Sequence, residues 1–391
     1  MKTYSTDMIR NVALLGHSNS GKTTLTEAAL FATGVTKRQG RVDDGNTMSD
    51  FDKEEILRNV SIGTTSIPLE WNNIKFNLLD TPGYFDFIGE MFGAKRASEG
   101  SVLIVDGSSG IEVGTEKAWK NLEKYVTPRI IFVNKMDKED INFQELLSKL
   151  KEELGDKIVP FALPIGKAEN FKGFIDVLSG VAYEYDGIKR KTIELDDPQR
   201  EEMEAIKEVL MEKIAESDED LLEKYFEGEE FTDEEISKGL KASVASGELV
   251  PLLVGSAEKA IGADFLLETI EKYIPSPKDM VSVTGLKDGE EVTRKIDPNE
   301  PFSAIVFKTI IDPFVGKLTL FKVMSGKITK DTELYNSTKE KSEKLGGIFV
   351  LRGKEQIEVS EIVAGDIGAT AKLNYTQTGD TLCDKYDETL Y

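Results

Sequence analysis

The stretch Gly16-His17-Ser18-Asn19-Ser20-Gly21-Lys22-Thr23 constrains this chain more than any other. It has the form G-x-x-x-x-G-K-[ST], a loop whose backbone cradles phosphates. Just before it, Asn11-Val12-Ala13-Leu14-Leu15 reads as a short buried strand, and residues 24–33 after it read as a helix. Strand, glycine loop and helix in that order aim backbone N–H groups at a chain of phosphates. Gly16 and Gly21 let the backbone turn and approach without a Cβ in the way. Ser18, Asn19, Ser20, Gly21 and Thr24 are thus candidate loop contacts. Lys22 is expected to reach the β- and γ-phosphates, and Thr23 to hold Mg²⁺ through its hydroxyl.

Two further motifs follow in order. Residues 65–71 and 74–79 read as two strands joined by a tight Asn72-Asn73 turn, with Pro68 marking the first as an edge strand. The second strand ends in Asp80-Thr81-Pro82-Gly83. An acid at the tip of a buried strand can hold Mg²⁺ through water, and Gly83 has no side chain to keep its N–H from a γ-phosphate. The apolar stretch 128–133 then runs into Asn134-Lys135-Met136-Asp137. A carboxylate at Asp137 accepts from both N1–H and the exocyclic amine of guanine. Adenine offers no such pair of donors, so the wrong base leaves a buried acceptor unpaired. Asn134 is expected to brace the neighbouring loops, and the Lys135 stem to lie along the base.

At this point the sequence resembles the elongation factor G family of translational GTPases, and within it the divergent branch often carried as a second copy in bacteria. Arg10-Asn11-Val12, the phosphate loop, Val42-Asp43-Asp44-Gly45, Asp80-Thr81-Pro82-Gly83, the Asn134-to-Asp137 motif and Gly255-Ser256-Ala257 fall in family order across essentially the whole chain. The resemblance implies GTP and GDP as ligands, Mg²⁺ as cofactor, and a switch coupled to ribosomal RNA and stalk proteins in the cytoplasm. It also implies that Ser256 and Ala257 meet the guanine, with backbone N–H contact to O6.

Three positions depart from the family pattern. Histidine usually follows D-T-P-G and positions the attacking water. Here the residue is Tyr84, and a phenol that stays protonated at neutral pH orients water without acting as a base. Slow hydrolysis away from the ribosome is the expectation. The first switch usually carries R-G-I-T, whose threonine holds Mg²⁺; here it reads Arg58-Asn59-Val60-Ser61, so Ser61 inherits that role. The fourth loop position, Asp in typical members, is Asn19, whose side-chain oxygen is a candidate ligand for a monovalent cation. Alternatives to a hydrolysing translocation or recycling factor are a GTP-binding switch with little hydrolysis, and a ribosome-protection or rescue factor.

The fold class expected is an α/β phosphate-loop domain with a mostly parallel sheet and an antiparallel edge strand. An α+β subdomain is inserted into it, and an antiparallel β-barrel follows. Residues 1–280 form the first domain, with the insertion at about 158–248, and residues 281–391 the barrel. Residues 37–61 are polar without periodicity and carry an acidic cluster at Asp50, Asp52, Glu54 and Glu55. That predicts a long mobile loop with at most one short helix. Residues 197–227 predict an acidic helical region with a broken period, suited to the stalk by resemblance. Beyond residue 286 short alternating strands are punctuated by Gly326, Gly346-Gly347, Gly365-Asp366 and Gly379-Asp380. Asp312-Pro313-Phe314-Val315-Gly316 and Ala364-Gly365-Asp366-Ile367-Gly368 match the family's second domain. Lys327, Lys330, Lys339, Lys341, Lys344, Arg352 and Lys354 supply positive charge there for RNA. Relatives continue for further domains, so an N-terminal fragment is expected.

Composition excludes more than it assigns. The single histidine, His17, rules out a Ser-His-Asp triad or a histidine-rich zinc site. The single cysteine, Cys383, rules out an internal disulfide and fits a reducing compartment. A net charge of −22 opposes wrapping of naked nucleic acid by bulk attraction, though not a local basic patch. No run is long and apolar enough to span a membrane, and a monomer is expected.

Overall fold

The computed structural model describes residues 1–287, 289–312, 316–385 and 387–391. The apolar runs of the first half come together as one sheet. Its strands, with those of the insertion, are β1 (Ile9–Gly16), β2 (Thr65–Trp71), β3 (Ile74–Asp80), β4 (Gly100–Asp106), β5 (Arg129–Asn134), β6 (Ile158–Pro160), β7 (Ala162–Ile165), β8 (Gly173–Asp176), β9 (Val181–Asp186), β10 (Lys189–Ile193) and β11 (Val250–Val254). The main sheet runs β2-β3-β1-β4-β5-β11-β6. Every neighbouring pair is parallel except β2 with β3, the expected hairpin at the edge. The central strands are buried throughout, as strands covered on both faces must be. Their carboxyl ends carry Gly16, Asp80, Asp106 and Asn134, which gathers the motifs along one edge.

The helices are α1 (Lys22–Ala32), α2 (Lys53–Arg58), α3 (Ile88–Arg96), α4 (Val113–Lys124), α5 (Phe143–Leu154), α6 (Asp197–Ala215), α7 (Glu219–Glu227), α8 (Asp233–Ser246) and α9 (Ala263–Tyr273). The broken period over 197–227 is the join between α6 and α7, where Asp218 caps α7 by accepting from Asp220 N–H. The antiparallel sheet β10-β9-β8-β7 and α6 to α8 make up the insertion. Ile158 to Pro160, expected from sequence at the start of that insertion, instead pair with Val250 to Leu252 at the edge of the main sheet. The departure from the main sheet therefore comes after Pro160. The apolar pair Phe161 and Val177 closes the junction through a backbone hydrogen bond of 3.1 Å.

The C-terminal region is an eight-stranded antiparallel sheet with two short two-stranded pairs. Leu334 from near one end and Ile348 from near the other share one apolar core with Phe321 and Leu382, so the sheet curls around that core. Among the described residues no ladder joins its two terminal strands. Rolled around that core, the sheet is the antiparallel β-domain that the sequence predicts. Residues 313–315 of the Asp312-to-Gly316 motif lie outside the described residues.

This region also covers the exposed edge of β2. Gly353 N–H donates to Ser66 O at 3.2 Å, and Arg352 Nε to Pro68 O at 3.0 Å. Covering an edge strand removes a template for unwanted pairing. No described helix is long and apolar enough to cross a membrane.

Candidate functional site

The phosphate loop takes the shape its sequence requires. Gly21 sits in the left-handed region at φ 98° and leads directly into α1. Asn19 is also left-handed, at φ 61°, a conformation asparagine tolerates better than most residues. The Lys22 ammonium folds back to donate to His17 O at 2.7 Å and Gly16 O at 3.2 Å. Burial pulls its pKa down to about 8, against the upward pull of Asp80 and Asp50. A buried ammonium held among backbone carbonyls is poised to receive an anion.

A cavity of about 450 Å³ opens above this loop. Ser18, Asn19, Gly21, Lys22, Thr23, Thr24, Ser61, Gly83, Tyr84 and Lys135 line it. Ser20, Asp80, Asn134 and Ser256 are buried behind these walls. Asp137 lies half-buried beside Lys135, and Ala257 is buried.

Thr23 and Ser61, 38 residues apart, bring their hydroxyls to 3.2 Å from each other. Beside them Asp80 is buried with neither carboxylate oxygen in a hydrogen bond of ordinary geometry. Burial lifts its pKa to about 6, while the nearby Thr23 hydroxyl and Lys22 favour the anion. Asp50, one member of an acidic cluster in the sequence, joins them in the cavity wall. Burial and then the Asp80 charge raise its pKa to about 6 as well. Two hydroxyls, the unpartnered Asp80 carboxylate and the nearby Asp50 form a hard oxygen donor set, which fits Mg²⁺.

Gly83 packs so closely on the phosphate loop that a Cβ there would lie 2.5 Å from Lys22 Nζ and 2.6 Å from Ser18 N. Only glycine fits between the D-T-P-G turn and the loop. Tyr84 follows at the start of a 3₁₀ turn, 41% exposed and facing the cavity mouth. His17 turns away from the cavity, where its Nδ1 accepts from Gly114 N–H at 3.2 Å.

At the other end Asn134 acts as a brace. Its amide donates to Ser20 O, and its carbonyl accepts from Ala257 N–H, both at 2.8 Å. The N–H that the resemblance aims at guanine O6 is thus held by Asn134 in this structure. Lys135 pairs with Asp106 at 2.6 Å. Gly255 N–H donates to Val133 O, and Met136 N–H to Gly255 O, which zips the two loops together.

Residues 37–61 are ordered against the domain rather than loose. Glu27 of α1 is buried and accepts from Met48 N–H at 2.7 Å. Glu55 accepts from Ile62 N–H at 2.9 Å and Gly63 N–H at 3.2 Å, next to Ser61. Neither role is legible in the sequence: an acid on a helix reads as solvent-facing until the loop that covers it is known.

Comparison with known proteins decides the family. Residues 7–276 match the model of the elongation factor Tu GTP-binding domain, and residues 301–385 that of elongation factor G domain 2. The chain belongs to the elongation factor G family. It is similar to elongation factor G of Thermotoga neapolitana, at 40% identity over 98% of this chain and 56% of that protein. Elongation factor G of Thermotoga maritima is 39% identical over 97% of this chain and 56% of that protein. A crystal structure of a protein from Thermus thermophilus superposes with a TM-score of 0.87 at 35% identity, covering 98% of this chain and 55% of that one. The chain therefore spans about half the length of these elongation factor G relatives.

Proposed function

We propose that the chain binds GTP and hydrolyses it to GDP and phosphate as the switch portion of a ribosome-coupled, cytoplasmic translation factor. The observation that carries this reading is the convergence of the phosphate loop, the Thr23–Ser61 hydroxyl pair and the unpartnered Asp80 carboxylate on one cavity. Ser18, Asn19, Ser20, Gly21 and Thr24 offer the phosphates their backbone, and Lys22 offers charge. Asn134, Lys135, Asp137, Ser256 and Ala257 form the guanine end. Thr23, Ser61 and Asp80 would hold Mg²⁺, which when bound neutralises charge on the transferring phosphoryl group. Gly83 senses the γ-phosphate, and Tyr84 orients the attacking water through its hydroxyl. Loss of that phosphate frees the segments around Ser61 and Gly83, an order-to-disorder switch. In this reading residues 1–280 are the nucleotide domain and residues 281–391 the RNA-facing domain. Asn19 is assigned a monovalent cation, so turnover is expected to be faster in potassium than in sodium.

The test is GTP turnover with and without purified ribosomes, for wild type and Tyr84→His. Strong ribosomal stimulation of wild type, with little gain from histidine, supports the enzyme. Wild type that binds GTP without turnover, restored by histidine, supports a binding switch instead.

A further inference from the structure

One wall of the cavity carries none of the ligand roles assigned above. Residues 39–43 line the cavity that the phosphate loop also lines, together with Lys135 and Glu258. Two side chains fasten this segment to the loop after β11. Gln39 Nε2 donates to Ala257 O at 2.7 Å, and Arg41 pairs with Glu258 at 3.0 Å. Both contacts join residues more than 200 positions apart, with sequence separations of 218 and 217. They land on the residues next to Ser256, at the end of the cavity where Asn134 and Lys135 stand.

The strap is anchored from below as well. The Glu27 carboxylate accepts from the N–H groups of Gly40, Met48 and Ser49. Gly40 lies so close to it that a Cβ would sit 2.4 Å from Glu27 Oε2. Between these anchors the chain makes a tight turn, with Arg41 N–H donating to Asn46 Oδ1 at 2.7 Å and Gly45 N–H to Val42 O at 2.9 Å. The segment is therefore stiff at its base on α1 and latched at its tip by two bonds that water can replace.

We propose that residues 39–43 are a latch over the guanine end of the cavity, in which Gln39 and Arg41 set the rate at which guanine nucleotide leaves. This deepens the guanine-nucleotide reading above and rests on it. A nucleotide seated between Lys135 and the phosphate loop leaves past the wall that the strap forms. Moving that wall aside breaks the Gln39–Ala257 and Arg41–Glu258 contacts, while binding to the phosphate loop itself is untouched. The half-buried Gln39 bond contributes most, since an exposed ion pair is weak and screened by salt. Gln39 and Arg41 are positioning residues: they act on the nucleotide by holding Ala257 and Glu258.

The test is release of methylanthraniloyl-GDP from the full chain, followed by stopped-flow fluorescence after addition of excess GDP in Mg²⁺ buffer. Gln39→Ala with Arg41→Ala is expected to release it about tenfold faster than wild type, equivalent to about 1.4 kcal/mol, with little change in association rate. Arg41→Glu alone is expected to speed release at low salt, and Arg41→Glu with Glu258→Arg to restore the slow rate. That rescue separates a latch from local misfolding. If the double variant fails to fold, Gln39→Glu decides, because a carboxylate cannot donate to Ala257 O and is expected to release faster. Unchanged release from folded variants that still bind overturns the latch and leaves the guanine-nucleotide reading standing. A wild-type chain that holds no methylanthraniloyl-GDP at all overturns both.

Discussion

At the scale of single residues, Asp80 shows how function is held against stability. A carboxylate sealed from water without a firm hydrogen bond costs the fold free energy, and burial accordingly raises its pKa to about 6. The sign follows from linkage. A carboxylate whose pKa is higher in the folded chain stabilises the fold below its unfolded value, near ~3.9. That contribution is lost as the pH rises through about 6. Without metal or nucleotide, Asp80→Asn is therefore expected to raise the thermal midpoint at pH 7 by a few degrees, and to gain little at about pH 3.5, below the unfolded value. The same variant is expected to lose Mg²⁺-dependent GTP binding. Melts at both pH values, with a Mg²⁺ titration of nucleotide binding, check both halves. A midpoint that falls at pH 7 contradicts the account. Asp80 is legible in the sequence because D-x-x-G follows a strand at the right place. Asp50 is not, because nothing local distinguishes it from Asp52 or Glu54 until the loop folds over the cavity.

At the scale of elements, short hydrogen-bonded connections set the site. α2 is only six residues long, too short to be stable alone, and it is held by a reciprocal capping box between Asp52 and Glu55. Glu55 also takes the N–H groups of Ile62 and Gly63, so one buried acid fixes the backbone that presents Ser61. Glu55→Ala is expected to raise several-fold the Mg²⁺ concentration needed for half-maximal GTP binding, with a smaller effect on GDP. Equal effects on the two nucleotides would show that Glu55 merely supports the fold. Asn134 links the phosphate loop to the loop after β11 by two buried hydrogen bonds. Asn134→Ala strands Ser20 O and Ala257 N–H, a loss of about 1–3 kcal/mol. Equilibrium titration is expected to show nucleotide binding weakened about tenfold or more. The hairpin of β2 and β3 is readable from its alternation and its Asn-Asn turn. Helix α8 is not, since Leu240 and Val244 are nearly its only buried apolar side chains. Its one clear local signal is the Thr232-to-Glu235 capping box.

At the scale of the whole molecule, the two halves are locked by buried charge. Lys75 of β3 reaches Asp366 of the C-terminal sheet at 2.7 Å, with side chains 2% and 9% exposed. Asn77 donates to Asp366 at 3.0 Å and to Asn11 at 2.7 Å, and Asn11 donates to Glu99 at 2.8 Å and to Gly365 O at 2.7 Å. Lys322 completes the set on Glu99. Breaking one partner of such a pair strands the other. Asp366→Ala is expected to cost about 3–5 kcal/mol of stability, with Asp366→Asn in between. Denaturant melts check this, and the Ala variant is further expected to separate one transition into two as the halves uncouple.

The sequence by itself determined the phosphate loop, the order of the nucleotide motifs, the edge hairpin and the change from helices to strands after residue 286. Each rests on a local rule: a glycine where the backbone must turn, an acid at a strand tip, a period of two. Arg10-Asn11-Val12 and Ala364-Gly365-Asp366 both stand out in the sequence as matches to the family, yet nothing in either says that they touch. Only the tertiary structure decided that the polar face of β1 and β3 is buried, that Glu27 and Glu55 hold loops, and that residues 39–43 line the cavity. The reason is physical. A buried polar group is tolerable only with its partner, and the partner of Lys75 lies 291 residues away.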